Sequence, residues 1–215
     1  MATSPNHSPA LEKFFSAGTR LAFSKGEYII RPEEDPSGVF YIETGFVKAI
    51  STTKYGEENI LVIRRSGEVF PLIWVVTGDN RNVGYVAHTD CRVLRRSHAE
   101  LEAAMNNDTQ LMRAILVVTT TMYQSQAERV SSLVYRTVRE RIAYFLRTLV
   151  RRFGVECPEG IMIDAPLTRQ DIASSLSATR ETVSREFSYL QRKGIVKQIN
   201  GKIVVIDLEA LESIL

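Results

Sequence analysis

The side chains with the most specific chemistry lie in residues 168–187, which read TRQDIASSLSATRETVSREF. Thr168 and Thr179 are suitable helix N-caps, because a hydroxyl accepts a hydrogen bond from an unpaired backbone N–H of the first turn. Ser177-Ala178 suits a tight turn between the two helices. Apolar side chains recur at helical spacing after each cap: Ile172, Ala173 and Leu176, then Val183, Phe187 and Leu190. Two short helices with these inner faces predict a helix-turn-helix.

Given that inner face, the outward face of the second helix carries Arg180, Glu181, Ser184 and Arg185. An arginine can donate two hydrogen bonds to guanine O6 and N7, and a carboxylate can accept one from cytosine N4, each worth about 1–3 kcal/mol of discrimination. DNA phosphates repel a glutamate, so Glu181 on a docking face favours base reading over plain charge attraction. The second helix therefore has the chemistry of a DNA recognition helix.

Two β-like runs follow this helix, at 195–199 and 202–206. Asn200-Gly201 joins them, and Asn-Gly between two such runs is the strongest short signal for a β-hairpin. A hairpin directly after a helix-turn-helix forms a wing. The C-terminal part of the chain is therefore predicted to be a winged helix-turn-helix.

The charge distribution agrees with a nucleic-acid-binding module. The chain has 215 residues, of which 44% are hydrophobic and 24% charged, which is typical of a globular protein of one or two domains. Residues 136–202 contain 13 Lys and Arg against 7 Asp and Glu, whereas residues 1–106 contain 12 against 13. A basic segment attached to a near-neutral one favours DNA as the partner of the basic segment.

The first hundred residues contain short β-like runs separated by glycines at positions 26, 38, 45, 56 and 67. Four runs are rich in β-branched and aromatic residues: 39–42, 46–50, 59–63 and 91–94. Thr44-Gly45 and Tyr55-Gly56 suit hairpin turns, because glycine reaches positive φ without a Cβ clash. Evenly spaced short strands with glycine turns predict a small β-sandwich or barrel.

A helical pattern begins at Ser97, which forms a capping box with Glu100. A long helix is then predicted from about Thr109 to Tyr135. Alternating steps of four and three define a heptad seam: Leu111, Ile115, Val118, Met122, Ser125, Arg129 and Ser132. The seam predicts pairing with another helix, and the alternative is packing on the chain's own barrel. The expected domains are a β-barrel sensor domain at 1–106, a dimerisation helix at 107–135 and the DNA-binding domain at 136–215.

The order of these elements and the stretch R-E-T-V-S-R at 180–185 resemble the family of the cyclic-AMP receptor protein and the fumarate-nitrate reduction regulator (CRP/FNR), over about residues 15–210. The resemblance implies an α+β fold with an N-terminal double-stranded β-helix, a jelly-roll barrel like a cyclic-nucleotide-binding domain. It implies a homodimer joined along the long helix and bound to a two-fold symmetric promoter site in double-stranded DNA. RNA polymerase is a further partner expected of such a regulator.

The resemblance also implies roles for individual residues. Three side chains would read base edges: Arg180, Glu181 and Arg185. Six others would contact or orient the phosphate backbone: Thr168, Arg169, Gln170, Thr179, Thr182 and Ser184. Glu186 departs from the family, which usually has an apolar residue there, so the register of the inner face stays open at this position.

Cyclic-nucleotide-binding members of the family carry a Gly-Glu pair on a short helix and later an Arg-Ser pair, which hold the ribose and the phosphate. Pro71-Leu72 and Asn82-Val83 stand at those positions here, while Gly67-Glu68 belongs to the preceding turn. The sequence therefore predicts no cyclic-AMP binding. A slipped register, in which Arg81 still holds a phosphate, is the alternative.

The region of the family's effector pocket is apolar and aromatic in this chain. Six side chains are candidates for lining it: Phe70, Leu72, Trp74, Tyr85, Met122 and Tyr123. They predict a small hydrophobic or aromatic effector. The alternative is that these side chains fill the pocket themselves, which would make the protein a ligand-independent regulator.

No cofactor or metal site is predicted. A conventional iron–sulfur cluster needs about four cysteines, and the chain has only Cys91 and Cys157, while His7, His88 and His98 lack the context of haem ligands. Enzyme motifs are absent, so catalysis is not expected, and a winged fold that docks protein is the remaining alternative. The N-terminus has no secretory signal and no apolar run approaches the ~20 residues of a membrane span, which predicts a cytoplasmic protein without a membrane partner.

Overall fold

The computed structural model describes residues 8–53, 56, 58–79, 82–132 and 137–215. The chain divides into two compact units, Met1–Ser125 and Gln126–Leu215. The boundary between the units falls inside the long helix. Within the described ranges, no helix combines the length and the apolar character that a bilayer crossing requires.

The first unit is an antiparallel β-sandwich flanked by helices. Its elements are α1 (Pro9–Ser16), β1 (Thr19–Phe23), β2 (Tyr28–Ile30), β3 (Val39–Thr44), β4 (Phe46–Thr52), β5 (Glu58–Arg65), β6 (Val69–Phe70), α2 (Leu72–Thr77), β7 (Gly84–Ala87), β8 (Cys91–Arg96), α3 (His98–Asn107) and α4 (Thr109–Ser132). The strands form two four-stranded sheets, in the orders β1-β8-β3-β6 and β2-β7-β4-β5. The four runs predicted as strands are confirmed as parts of β3, β4, β5 and β8.

A turn at Gly45 connects β3 and β4, but the predicted hairpin is wrong, because the two strands belong to different sheets and do not pair with each other. Gly45 has φ +91°, and a Cβ at this position would lie 2.5 Å from the backbone oxygen of Asp90. Both the backbone angle and the close approach therefore require glycine. Tyr55, from the second predicted hairpin turn, lies outside the described residues.

Strand β3 is buried on both faces, because it separates two hydrophobic cores. Val39 and Tyr41 point toward α1 and α4, into the helix-side core. Phe40 and Ile42 point the opposite way, into the core between the sheets. Successive side chains of a strand alternate between its faces, so a run without polar alternation is what a doubly covered strand needs.

The second unit contains a helical bundle and a four-stranded sheet. Its elements are α5 (Val138–Phe153), β9 (Gly154–Cys157), β10 (Gly160–Ile163), α6 (Arg169–Leu176), α7 (Arg180–Arg192), β11 (Val196–Ile199), β12 (Lys202–Val205) and α8 (Leu208–Glu212). The sheet order is β11-β12-β10-β9. Asn200 and Gly201 both have positive φ, +50° and +79°, as a type I′ hairpin turn requires. The predicted wing is therefore confirmed as β11 and β12.

Candidate nucleic-acid interface

Both helices of the helix-turn-helix begin at the predicted caps. Thr168 Oγ1 accepts a hydrogen bond from the backbone N–H of Asp171 at 3.1 Å, and the Asp171 carboxylate accepts one from the backbone N–H of Thr168 at 2.8 Å. Thr179 Oγ1 accepts from the backbone N–H of Thr182 at 3.2 Å. These bonds satisfy N–H groups that would otherwise lack partners in the first turns of α6 and α7.

The turn between the helices is closed by the backbone and by small side chains. Ser177 takes the left-handed conformation, with φ +49°, and the N–H of Ala178 donates to the carbonyl of Ala173 at 3.1 Å. Ala173 is buried where α6 and α7 approach each other. The predicted inner face of α7 is confirmed, since Val183, Phe187 and Leu190 are all buried.

The three predicted base-reading side chains share one exposed side of α7. Arg180 occupies the first position of the helix, and Arg180, Glu181 and Arg185 are all exposed. Thr182 and Ser184 are half-buried beside them. The partial positive charge of the helix N-terminus adds to the attraction for an anionic surface at this end of α7.

Among the predicted orienting residues, Arg169 is half-buried and packs against neighbouring elements of the domain. Its guanidinium carbon lies 3.6 Å from the centroid of the Phe187 ring, and Nη2 donates to Gln198 Oε1 in β11 at 3.3 Å. Burial lowers the pKa of the Arg169 guanidinium. This side chain joins α6, α7 and the wing, which suits an orienting role better than a phosphate contact. Thr168, Gln170 and Thr179 are exposed.

Glu186 does not disturb the inner face of α7, and it pairs with Arg139, which sequence reasoning did not single out. Its Oε2 accepts a hydrogen bond from Arg139 Nε in α5 at 2.8 Å. The guanidinium carbon of Arg139 also lies 3.6 Å from the centroid of the Tyr189 ring. The two charged residues are 47 positions apart in the chain, so no local pattern could reveal the pair.

The six candidate pocket residues lie in two hydrophobic cores and at one exposed position. Phe70 and Tyr85 stack in the core between the sheets, with ring centroids 4.8 Å apart. Leu72, Trp74 and Met122 pack instead in the helix-side core. Tyr123 is exposed. The strands and α2 send these side chains to opposite sides of the β3 sheet, and this division was not visible in the sequence.

A buried ion pair lies at the end of β5 next to α4. Arg64 Nη1 is 3.4 Å from Glu68 Oε2, and each side chain is only 4% exposed. Arg64 Nη2 lies 3.6 Å from the sulfur of Met122. Arg64 Nε has no hydrogen-bond partner among the described residues. Sequence reasoning placed Glu68 in the turn before β6 but did not single out Arg64.

The residues predicted to replace the family's phosphate-binding pairs lie at the start of α2 and before β7. Gly67, with φ +87°, forms the turn before β6, and Pro71 is the N-cap of α2. Asn82 and Val83 precede β7. Arg81, on which the slipped register depends, lies outside the described residues.

The described cysteines and histidines are part of no cluster that could hold a metal ion. Cys91 is buried in the first unit, where burial, followed by the charges of Asp90 and Glu27, raises the pKa of its thiol to about 11. Cys157 lies on β9 of the second unit. The described residues contain no group of three or more His, Cys, Asp or Glu side chains that could hold a metal ion. His7 lies outside the described residues.

Two family models match most of the chain. The cyclic nucleotide-binding domain matches residues 20–108, and the Crp-like helix-turn-helix domain matches residues 140–214. The match of the second model includes α6, α7 and the wing. A sensor-type β-sandwich followed by this winged helix-turn-helix defines a DNA-binding transcriptional regulator.

Relatives and solved structures extend the match across both units. The global nitrogen regulator of Nostoc sp. is 29% identical over 185 residues, which are 85% of this chain and 83% of the relative. The nitrogen fixation regulation protein FixK of Azorhizobium caulinodans is 28% identical over 196 residues, 90% of this chain and 78% of the relative. The structure of FixK2 from Bradyrhizobium japonicum superposes with a TM-score of 0.79 at 27% identity, covering 92% of this chain and 97% of that one. The chain belongs to the CRP/FNR family of transcriptional regulators.

Proposed function

We propose that the protein binds a two-fold symmetric promoter site as a homodimer, with Arg180, Glu181 and Arg185 reading base edges. The observation that carries this proposal is the exposure of all three side chains on one side of α7. Five side chains would contact or orient the phosphate backbone: Thr168, Gln170, Thr179, Thr182 and Ser184. Arg169 would support them through its contacts with Phe187 and Gln198. RNA polymerase is the proposed protein partner at the promoter.

The surface of the two helices favours DNA over a protein as the docking partner. No large apolar side chain of α6 or α7, both fully described, is exposed. A winged fold that docks protein needs an apolar patch at the centre of its interface, whereas protein–DNA interfaces are polar and basic.

A strip along α4 supports the proposed dimer. Met112, Leu116, Tyr123 and Val130 follow each other at steps of four and seven, and their exposure ranges from 39% to 74%. Exposed apolar side chains at heptad spacing are typical of a helix that pairs with a second helix. This strip, named here the outer strip, is where we propose that a second copy of the chain packs.

The outer strip differs from the heptad seam predicted from the sequence. Leu111, Ile115, Val118 and Met122 of that seam pack against the first unit's own core. These four residues of the predicted seam agree with the alternative interpretation, in which the helix packs on the chain's own barrel. The side chains of Arg129 and Ser132 lie outside the description. One helix carries two apolar faces, and a periodicity alone does not say which face is covered within the chain.

The dimer is tested with Leu116→Glu/Tyr123→Glu, which places two carboxylates on the outer strip. We expect this variant to sediment as a monomer at micromolar concentrations, where the wild type sediments as a dimer, because like charges would face each other across the interface. DNA selected by the wild type from a random library should contain two half-sites with centres about 34 Å apart, and the variant should bind it at least tenfold more weakly. Gln124→Glu, also exposed on α4 but off the strip, is the control. A monomeric wild type, or an asymmetric selected site, would contradict the proposal.

For effector control, we propose that cyclic AMP is not the ligand. Pro71 has no backbone N–H to donate to a phosphate, and Leu72 has no carboxylate to hold a ribose. The packing of five of the six pocket candidates into two cores favours the ligand-independent alternative over a hydrophobic effector.

Titration with cyclic AMP is therefore expected to leave the melting temperature unchanged. A ligand that binds only the folded state stabilises it by about 2.7 kcal/mol at 100 times its Kd, so differential scanning fluorimetry would detect binding. The selected DNA site serves as the positive control, since it should raise the melting temperature of the same sample. A saturable rise with cyclic AMP would show that the phosphate is held by other residues, with Arg81 as the first candidate.

A further inference from the structure

The carboxylate of Glu186 lies between two arginines with different tasks. Its Oε2 accepts the 2.8 Å hydrogen bond from Arg139 Nε, whereas its Oε1 lies 3.7 Å from Arg185 Nε. The Glu186 side chain is 12% exposed and that of Arg185 is 73% exposed. One oxygen of the carboxylate, Oε2, is therefore held by Arg139 of α5. The other, Oε1, still attracts the guanidinium of Arg185, which is proposed to read a base.

Besides Glu186, Arg139 contacts a second residue of α7, Tyr189. Its guanidinium stacks over Tyr189, which follows Glu186 by three residues and therefore lies next to it on α7. Arg139 itself is in the first turn of α5. The planar guanidinium thus binds an acid and an aromatic ring at once, an arrangement that a lysine could not reproduce.

We propose that Glu186 is a specificity-determining residue that restrains Arg185, and that Arg139 is a positioning residue that limits this restraint. The inference rests on the proposed base-reading role of Arg185. The proposal requires that Arg185 moves away from the carboxylate when it donates two hydrogen bonds to guanine. Breaking the ion pair with Glu186 lowers the affinity of every DNA complex in which Arg185 contacts a base. A guanine that accepts two hydrogen bonds from Arg185 compensates this loss best.

The test uses the full-length dimer, the DNA site selected by the wild type, and fluorescence anisotropy at one fixed salt concentration. Glu186→Gln keeps the size of the side chain and an oxygen that accepts from Arg139, but it removes the charge that holds Arg185. We expect this variant to bind the site about twofold to fivefold more tightly. In an Arg185→Ala background, the same change should alter the affinity by less than the gain seen with Arg185 present.

Arg139→Met tests the second half of the proposal. Without Arg139 the carboxylate can turn fully to Arg185, so we expect at least a twofold loss of DNA affinity. The loss should disappear when Arg139→Met is combined with Glu186→Gln, or with Arg185→Ala. The melting temperature of each variant is measured by circular dichroism, and all titrations are run below it.

Three outcomes would overturn the inference. Glu186→Gln could leave the affinity unchanged or lower it. It could raise the affinity by the same factor with and without Arg185, which would indicate a general charge effect on DNA. Arg139→Met could cost the same in the Arg185→Ala background, which would indicate a purely structural link between α5 and α7. If Arg185→Ala alone changes neither affinity nor site preference, the proposed base-reading role of Arg185 fails instead.

Discussion

Arg180→Ala is expected to lower the affinity for the selected DNA site by about 10- to 100-fold, because a bidentate contact between arginine and guanine contributes about 1–3 kcal/mol of discrimination. Arg180 is exposed at the first position of α7. Its removal would take away the proposed base contact without opening the core of the domain. The affinity for unrelated DNA should fall much less, since losing one positive charge weakens only the attraction to phosphates.

Anisotropy titrations with the selected site, with single base-pair variants of it and with unrelated DNA measure this change. Arg192→Ala is the matched control, because Arg192 is exposed at the opposite end of the same helix and carries the same charge. If Arg180→Ala keeps the wild-type preference among base pairs, the assignment of the reading face of α7 is wrong. A loss equal to that of Arg192→Ala would indicate charge attraction alone.

Glu68→Ala is expected to destabilise the first unit by about 3–5 kcal/mol, which is the cost of leaving one member of a buried ion pair without its partner. Arg64 would remain buried against the Met122 sulfur, and its Nε already has no partner among the described residues. Desolvation of an uncompensated guanidinium is the physical cause of the loss. Because Trp74 is the only tryptophan and packs in the helix-side core, its fluorescence reports unfolding of this unit in urea.

Glu58→Ala is the matched control for Glu68→Ala. Glu58 is the first residue of β5, and it lies 3.6 Å from Lys48 in an ion pair. Unlike Glu68, the Glu58 side chain is exposed to solvent. We expect this control to cost at most about 1 kcal/mol. The double change Arg64→Met/Glu68→Leu should recover most of the loss, since apolar replacement of both partners of a buried pair is often neutral or stabilising. Equal losses for Glu58→Ala and Glu68→Ala would contradict the prediction.

Local features of this protein were predictable because they depend on residues close in the chain. The caps at Thr168 and Thr179, the turn at Gly45 and the Asn200-Gly201 hairpin follow from backbone preferences of single residues. The inner face of α7 follows from the helical period. It is buried as predicted, although Glu186 stands where the family usually has an apolar residue. These features sufficed to predict a winged helix-turn-helix and, through the resemblance, the family.

Pairings between distant segments were decided only by the tertiary structure. Glu186 pairs with Arg139, which is 47 positions away in the sequence. Arg64 contacts Met122, which is 58 positions away. The same is true of α4, where two apolar strips have similar sequence signals but only one is covered by the chain's own core. β9 is an edge strand with little apolar character, so its pairing with β10 was not predicted either.

The sequence by itself determined the helix-turn-helix, the wing, four strands of the first unit and the outward arginines of α7, because periodicity, capping and turn preferences act within a few residues. Only the tertiary structure decided that five of the six pocket candidates divide between two cores and that Arg169 joins α6 to α7 and the wing. It also decided that Glu186 lies between Arg139 and Arg185. Each of these depends on which surfaces meet when the elements pack. Packing is set by the shape and charge of residues far apart in the chain, which no local pattern contains.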